Sequence, residues 1–343
     1  MQPIQRQHLF NYDLLRGIAI ILVAVQHAWS MSELDVDEWG LLCYGYRTFV
    51  NCGVPLFVIM SGALLLDAPI RPMEEFFKRR FTRILYPFLL WALVVYLISF
   101  LSHRYDEVLT WKDFFVNLVP YLLSNKINDF HWFVHMILAL YIIAPFLQRA
   151  LTLCDRKSLD YLMLGWLLVM VLRSFYPNIY MLKYTSGLFP YLGCFIAGYY
   201  IRHYCYGRLL RWASLSGVIL FGILDIVTET RLSYVELLMA ISMFAFFSVR
   251  PMNRQPAGST LLVLLSRYSY MIYLIHIPII RALMSVTCSY HTPDNPGWVG
   301  LQPLWWAAAV LAICLVGCWI LEQLRLPASV LKVLGITPVP KKG

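Results

Sequence analysis

Apolar residues run along this chain in long blocks, separated by short polar stretches. The blocks are about 15–22 residues long and do not alternate, which suits helices that cross a bilayer rather than strands. Ten spans are predicted, at roughly 14–32, 43–66, 84–102, 130–148, 160–176, 185–202, 212–228, 234–249, 267–287 and 302–322. In hydrocarbon every backbone polar group must be satisfied internally, so the expected fold is all-α, a polytopic transmembrane helical bundle. One membrane domain over 1–343 is expected, with spans from about 14 to 322 and a short basic tail at 323–343. No repeat or low-complexity stretch interrupts it. The longest connection, about 103–129, contains WKDFFVNLVPYLLS, an amphipathic piece expected to lie along the membrane surface.

Composition agrees. Of 343 residues, 60% are hydrophobic and 14% charged, against about 25% charged in a soluble domain. The net charge of +9 does not point to nucleic acid, because Lys and Arg cluster between the apolar blocks. That is the positive-inside pattern, and it puts both termini in the cytoplasm. The first outer loop, SELDVDEW at 32–39, then carries only acidic charge. The 22 Tyr, 11 Trp and 20 Phe gather near span ends, as an aromatic belt would. Eight cysteines form no CxxC and no metal-ligand spacing, so no metal is expected. They read as apolar thiols, or as a disulfide among Cys43, Cys52 and Cys288. The first block holds Asp13, Arg16 and His27 and no small-x-small cleavage site, so it reads as a retained span.

That first span carries the candidate chemistry. In DLLRGIAIILVAVQHAWSM (13–31), Asp13, Arg16, Ile20, Ala24 and His27 fall on one helix face. Arg16 and His27 lie within about 20° around the axis and about 16 Å apart along it, so an inner-boundary Arg16 puts His27 near the bilayer midplane. A mid-membrane ionisable group is costly and by default a functional hypothesis. Small residues, Ala24 on this face and Gly17 at its edge, allow close approach. The plainer readings are an inter-helix hydrogen bond for His27 and an ordinary inner-end position for Arg16. Together, with Asp13 a turn away, they favour a site.

Five stretches in order resemble the integral-membrane acyltransferase-3 family. They are the Arg-x10-His pair Arg16/His27; VPLFVIMSGALLL (54–66) with Pro55, Phe57, Ser61 and Gly62; KRRFTRILYPF (78–88); HWFVHMILALYIIAP (131–145); and SRYSYMIYLIHIPII (266–280). One departure is that His131 directly precedes Trp132, where many members have a His two residues before the Trp. The chain resembles the family's short form, as in acetyltransferases of enterobacterial common antigen and symbiotic signals.

The resemblance implies an O-acyltransferase of a bacterial inner membrane. It takes acetyl or another acyl group from cytoplasmic acyl-CoA, usually acetyl-CoA, to a hydroxyl of a cell-surface or lipid-linked carbohydrate. His27 is the expected general base or acyl carrier. Arg16 either binds CoA phosphate or holds Asp13 and the helix in place; Asp13 has a supporting role. Lys78, Arg79, Arg80 and Arg83 suit CoA phosphates, or else serve topology and lipid headgroups. Ser61 offers a hydrogen bond and Gly62 close packing against the first helix. His131 and Trp132 are expected on the acceptor side, where Trp132 stacks on sugar or belongs to the belt. His276 is expected mid-span, meeting His27 or making a buried hydrogen bond. The partners are acyl-CoA, carbohydrate and lipid, with room for an oligomer. A transporter or flippase of a lipid-linked glycan is the alternative, although no inverted repeat or pair of broken helices supports it. A non-catalytic scaffold would not require the Arg16–His27 stripe.

Overall fold

The computed structural model describes residues 9–32, 45, 47–104, 108, 110–176, 178–179, 182, 187–228, 233–248, 254–287, 301–324 and 326–336. Among them it is all-α. The helices are α1 (Phe10–Ser30), α2 (Gly53–Leu65), α3 (Met73–Leu101), α4 (Trp111–Leu123), α5 (Trp132–Leu153), α6 (Arg156–Phe175), α7 (Leu188–Tyr204), α8 (Arg208–Val227), α9 (Ser233–Ser248), α10 (Thr260–Thr287), α11 (Gln302–Gln323) and α12 (Ala328–Val333). Eight helical segments are long and apolar enough to cross a membrane, counting α2 from Arg47. The shorter apolar α7 and α9 fall on the remaining two predicted spans, so all ten have a helix. The acidic stretch 32–39 lies, except Ser32, outside the described residues, as do Cys43 and Cys288. Cys52 is a buried free thiol.

Two helices start well before their predicted spans. α3 starts at Met73, because polar turns (MEEFFKRRFTR) continue the apolar helix, and α10 starts at Thr260, because the apolar run TLLVLLS precedes its predicted start. In α3 these turns are stabilised by i, i+4 pairing, with Arg79 on Glu75 at 2.6 Å.

The chain divides into two compact units. The first comprises Met1–Ile70, Ile143–Ser266 and Asn295–Trp305. Its tightest crossing is that of α2 with α7, where a Cβ at Gly62 would collide with the Phe195 carbonyl and one at Gly198 with the Ile59 carbonyl. Gly62 was expected against the first helix. Gly53, a little over two turns earlier, holds that place, with Ala19 and Val23 of α1 against it. Gln148 of α5 is buried and donates to the carbonyls of Leu65, Leu66 and Ala68, satisfying orphan groups at the C-terminus of α2.

The second unit comprises Arg71–Ile142, Arg267–Asp294 and Trp306–Gly343. Here α4 carries an exposed apolar face of Trp111, Phe115, Val116, Val119 and Leu123, while Phe114 stacks on Tyr96 of α3 at 4.6 Å. Thr110 and Asp113 close a capping box at its start. The segment read as a tail folds back as α12. Its last turn ends at Gly335 (φ 89°), whose following residue Ile336 bonds back to Leu331 and is buried. Trp91 of α3 donates to the Leu334 carbonyl at 3.1 Å.

Candidate functional site

In the first unit α1 is unbroken from Phe10 to Ser30, so Arg16 and His27 share a face about 16 Å apart. His27 is 6% exposed, and its ring bonds the Val23 backbone one turn earlier. That bond makes one ring nitrogen a donor. In the neutral tautomer the opposite nitrogen is then the acceptor, which is the atom a general base uses. Arg16 Nη1 lies 3.4 Å from Asp13 Oδ1, and the same oxygen accepts from Ser266 Oγ of α10 at 3.0 Å. A Cβ at Gly17 would strike the Leu262 backbone, so α10 approaches α1 closely beside this cluster. Asp13 therefore ties the start of α1 to α10. It stands fourteen residues from His27, about 21 Å along the helix, too far to orient the ring. Ser61 is half-buried beside Gly62.

The second unit holds the other candidates. Lys78, Arg79 and Arg83 are exposed on α3 and Arg80 is half-exposed. Glu75 pairs with both Arg79 (2.6 Å) and Arg71 (2.7 Å), so part of the basic run is already neutralised. His131 closes a single 3-10 turn, Asp129–His131, and is 2% exposed. Its Nε2 lies 3.3 Å from Asn128 Nδ2, its ring bonds the Leu274 backbone, and Phe88 meets it edge-on at 5.5 Å. His276, 1% exposed, donates through Nδ1 to the Tyr273 carbonyl at 2.7 Å. The Tyr273 ring is 5.7 Å from that of His276, and its hydroxyl donates to the Phe130 carbonyl at 2.5 Å. Tyr273 thus joins His131 and His276 into one aromatic and histidine cluster. Trp132, 37% exposed, sits at its edge on α5. His135 bonds the His131 and Leu122 carbonyls. Among the described residues no three His, Cys, Asp or Glu side chains gather as a metal would need.

The sequence reading passed over a second polar cluster in the first unit. Gln26, adjacent to His27, donates to Asn51 Oδ1 at 3.0 Å, and Asn51 Nδ2 donates to Glu236 Oε1 at 2.5 Å. Beside it Thr48 donates to Asp225 Oδ2 at 2.8 Å. Asp225 and Glu236 are the acidic residues of two apolar blocks, the same anomaly that singled out His27.

A family model described as an acyltransferase domain matches residues 9–323. The chain belongs to the acyltransferase-3 family. It is an acyltransferase and a multi-pass membrane protein, and the match takes in residues of both units. No curated protein and no solved structure matches it. Among the described residues, the buried imidazole of α1, the histidine cluster of the second unit and the Asp225 and Glu236 carboxylates are groups with acid-base capacity inside apolar helices.

Proposed function

We propose that this acyltransferase transfers an acyl group, most simply acetyl, from cytoplasmic acyl-CoA to a hydroxyl of a cell-surface or lipid-linked carbohydrate. We place it in a bacterial inner membrane with both termini cytoplasmic. One observation carries this reading. His27 is buried inside a membrane helix of an acyltransferase, with its ring fixed to the Val23 backbone. A sugar hydroxyl is a poor nucleophile near neutral pH. Neutral His27 accepts its proton as the oxygen attacks the thioester carbonyl. The C–S bond then breaks and the leaving thiolate takes the proton from the imidazolium, so one proton moves from oxygen to sulfur and none is consumed. Proton transfer of this kind contributes about 10²–10⁴-fold. Attack by His27 itself, giving an acyl-imidazole that the hydroxyl then opens, uses the same residue.

Lys78, Arg79, Arg80 and Arg83 take the CoA phosphates in this reading. Arg16, paired with Asp13, holds the inner end of α1. Ser61 is assigned to the donor, and His131, Trp132 and His276 to the acceptor.

The test is transfer from acetyl-CoA by the purified protein in lipid nanodiscs. His27→Ala is expected to lower turnover at least about 100-fold with CoA binding intact. Full turnover in that variant removes His27 from the mechanism. Mass spectrometry of surface polysaccharide with and without the gene is expected to differ by one acyl group.

A further inference from the structure

At the end of the first unit where α1 finishes, three buried side-chain atoms have no hydrogen-bond partner among the described residues: Gln26 Oε1, Trp29 Nε1 and Asp225 Oδ1. Each carries an uncompensated desolvation cost, which a bound water, ion or ligand hydroxyl would relieve. The side chains are not loose. Gln26 is held through its other atom by Asn51, and Asp225, 1% exposed, through Oδ2 by Thr48. Thr48 and Asn51 are three residues apart on the helical segment leading into α2, so the Asp225 and Glu236 bonds stand side by side.

The chemistry of the unmet atoms is specific. Gln26 and Trp29 are three apart on α1, with Cβ atoms about 5–6 Å from each other. One is an acceptor and the other a donor, and a hydroxyl is both at once. The Trp29 N–H argues against a cation. Asp225 Oδ1 is an acceptor for a second hydroxyl, with the added strength of a charged partner.

We propose that this end of the first unit holds a carbohydrate-hydroxyl subsite for the acceptor, in which Gln26 Oε1 and Trp29 Nε1 hold one hydroxyl and Asp225 Oδ1 accepts from another. Its role as an acceptor subsite rests on the acyl transfer assigned above. Glu236 is a positioning residue that acts through Asn51 to aim Gln26.

The experiment uses the full chain in nanodiscs without donor. Saturation-transfer NMR reads binding of the methyl glycosides of glucose, galactose and N-acetylglucosamine. At least one is expected to bind, and Asp225→Asn and Gln26→Met are each expected to raise its half-saturating concentration about tenfold. An unchanged thermal midpoint certifies the fold, and Gln26→Met alone decides where Asp225→Asn does not fold. Absence of binding by all three glycosides overturns the subsite, as does binding indifferent to both substitutions. Waters alone at these atoms would give the first result. With acetyl-CoA added, transfer whose acceptor KM is unmoved by the variants also overturns it while leaving the acyltransfer reading intact. Glycoside binding that needs Gln26 and Asp225, with no transfer under any condition, defeats the acyltransfer reading and leaves a sugar site.

Discussion

Gly62 and Gly165 are both helical glycines, yet they stand at opposite extremes of packing. A Cβ at Gly62 would collide with backbone of α7, which cannot rotate aside as a side chain can. A Cβ at Gly165 on α6 would meet nothing within 4 Å. Gly62→Ala is therefore expected to cost about 1–3 kcal/mol by overpacking. Gly165→Ala is expected to be neutral or to stabilise by up to about 1 kcal/mol through helix propensity. Thermal unfolding in the same detergent compares the two, and equal midpoints would mean that α2 and α7 can separate at no cost. The sequence marked Gly62 as a packing position but assigned it to the wrong partner. Helical periodicity tells which residues share a face and not which helix that face meets. The same limit hid Gln26, whose neighbour His27 was legible as a lone imidazole in an apolar run. A glutamine draws little notice until Asn51 and Glu236 are seen beside it.

The elements themselves were the most legible layer. Each of the ten apolar blocks contains a helix, because in a bilayer an apolar run has no other way to satisfy its backbone. Helix ends were less legible, since they lie where water competes and capping decides. α6 illustrates this. Its N-cap Asp155 is fully exposed and accepts from the Ser158 N–H at 3.0 Å. The hydrogen bonds from Ser158 hold the Asp155 carboxyl below the ordinary carboxylate range. A depressed carboxylate stabilises the fold above its unfolded value, about 3.9, and loses that contribution as pH falls through the lower folded value. Stability measured from pH 6 down to 2.5 is thus expected to drop less steeply for Asp155→Asn, which caps without titrating, than for the parent. Asp155→Ala is expected to be less stable throughout the range above about pH 4 and to converge on the parent below it. Identical pH profiles for parent and Asp155→Asn would mean that the cap does not feel its charge.

At the scale of the whole molecule, the partition into two units was beyond the reach of sequence. Each unit is assembled from three separated stretches, and an unbroken run of similar apolar blocks contains no boundary signal. The candidate residues divide between the units. His27, Arg16, Asp13 and Ser61 belong to the first unit, and Lys78, Arg79, Arg80 and Arg83 to the second. The basic run of the second unit can be tested by itself. If the α3 basic run holds the phosphates, replacing Arg79, Arg80 and Arg83 with Ala is expected to raise the half-saturating acetyl-CoA concentration about tenfold or more, since charge-assisted bonds to phosphate contribute about 1.5–3 kcal/mol. Turnover at saturating donor should change little, because His27 is untouched. Lys78, Arg79 and Arg83 are exposed, so the parent's affinity should weaken with salt on the scale of a Debye length of about 8 Å at 0.15 M, and the variant's, which keeps only Lys78 of the run, should weaken less. Glu75 sharpens the expectation. It already holds Arg79, so Glu75→Gln should release that guanidinium and tighten acetyl-CoA binding. A headgroup or topology role for the run predicts neither shift, with donor affinity unmoved by either substitution. The combined result of the triple change and Glu75→Gln then decides between phosphate binding and membrane anchoring.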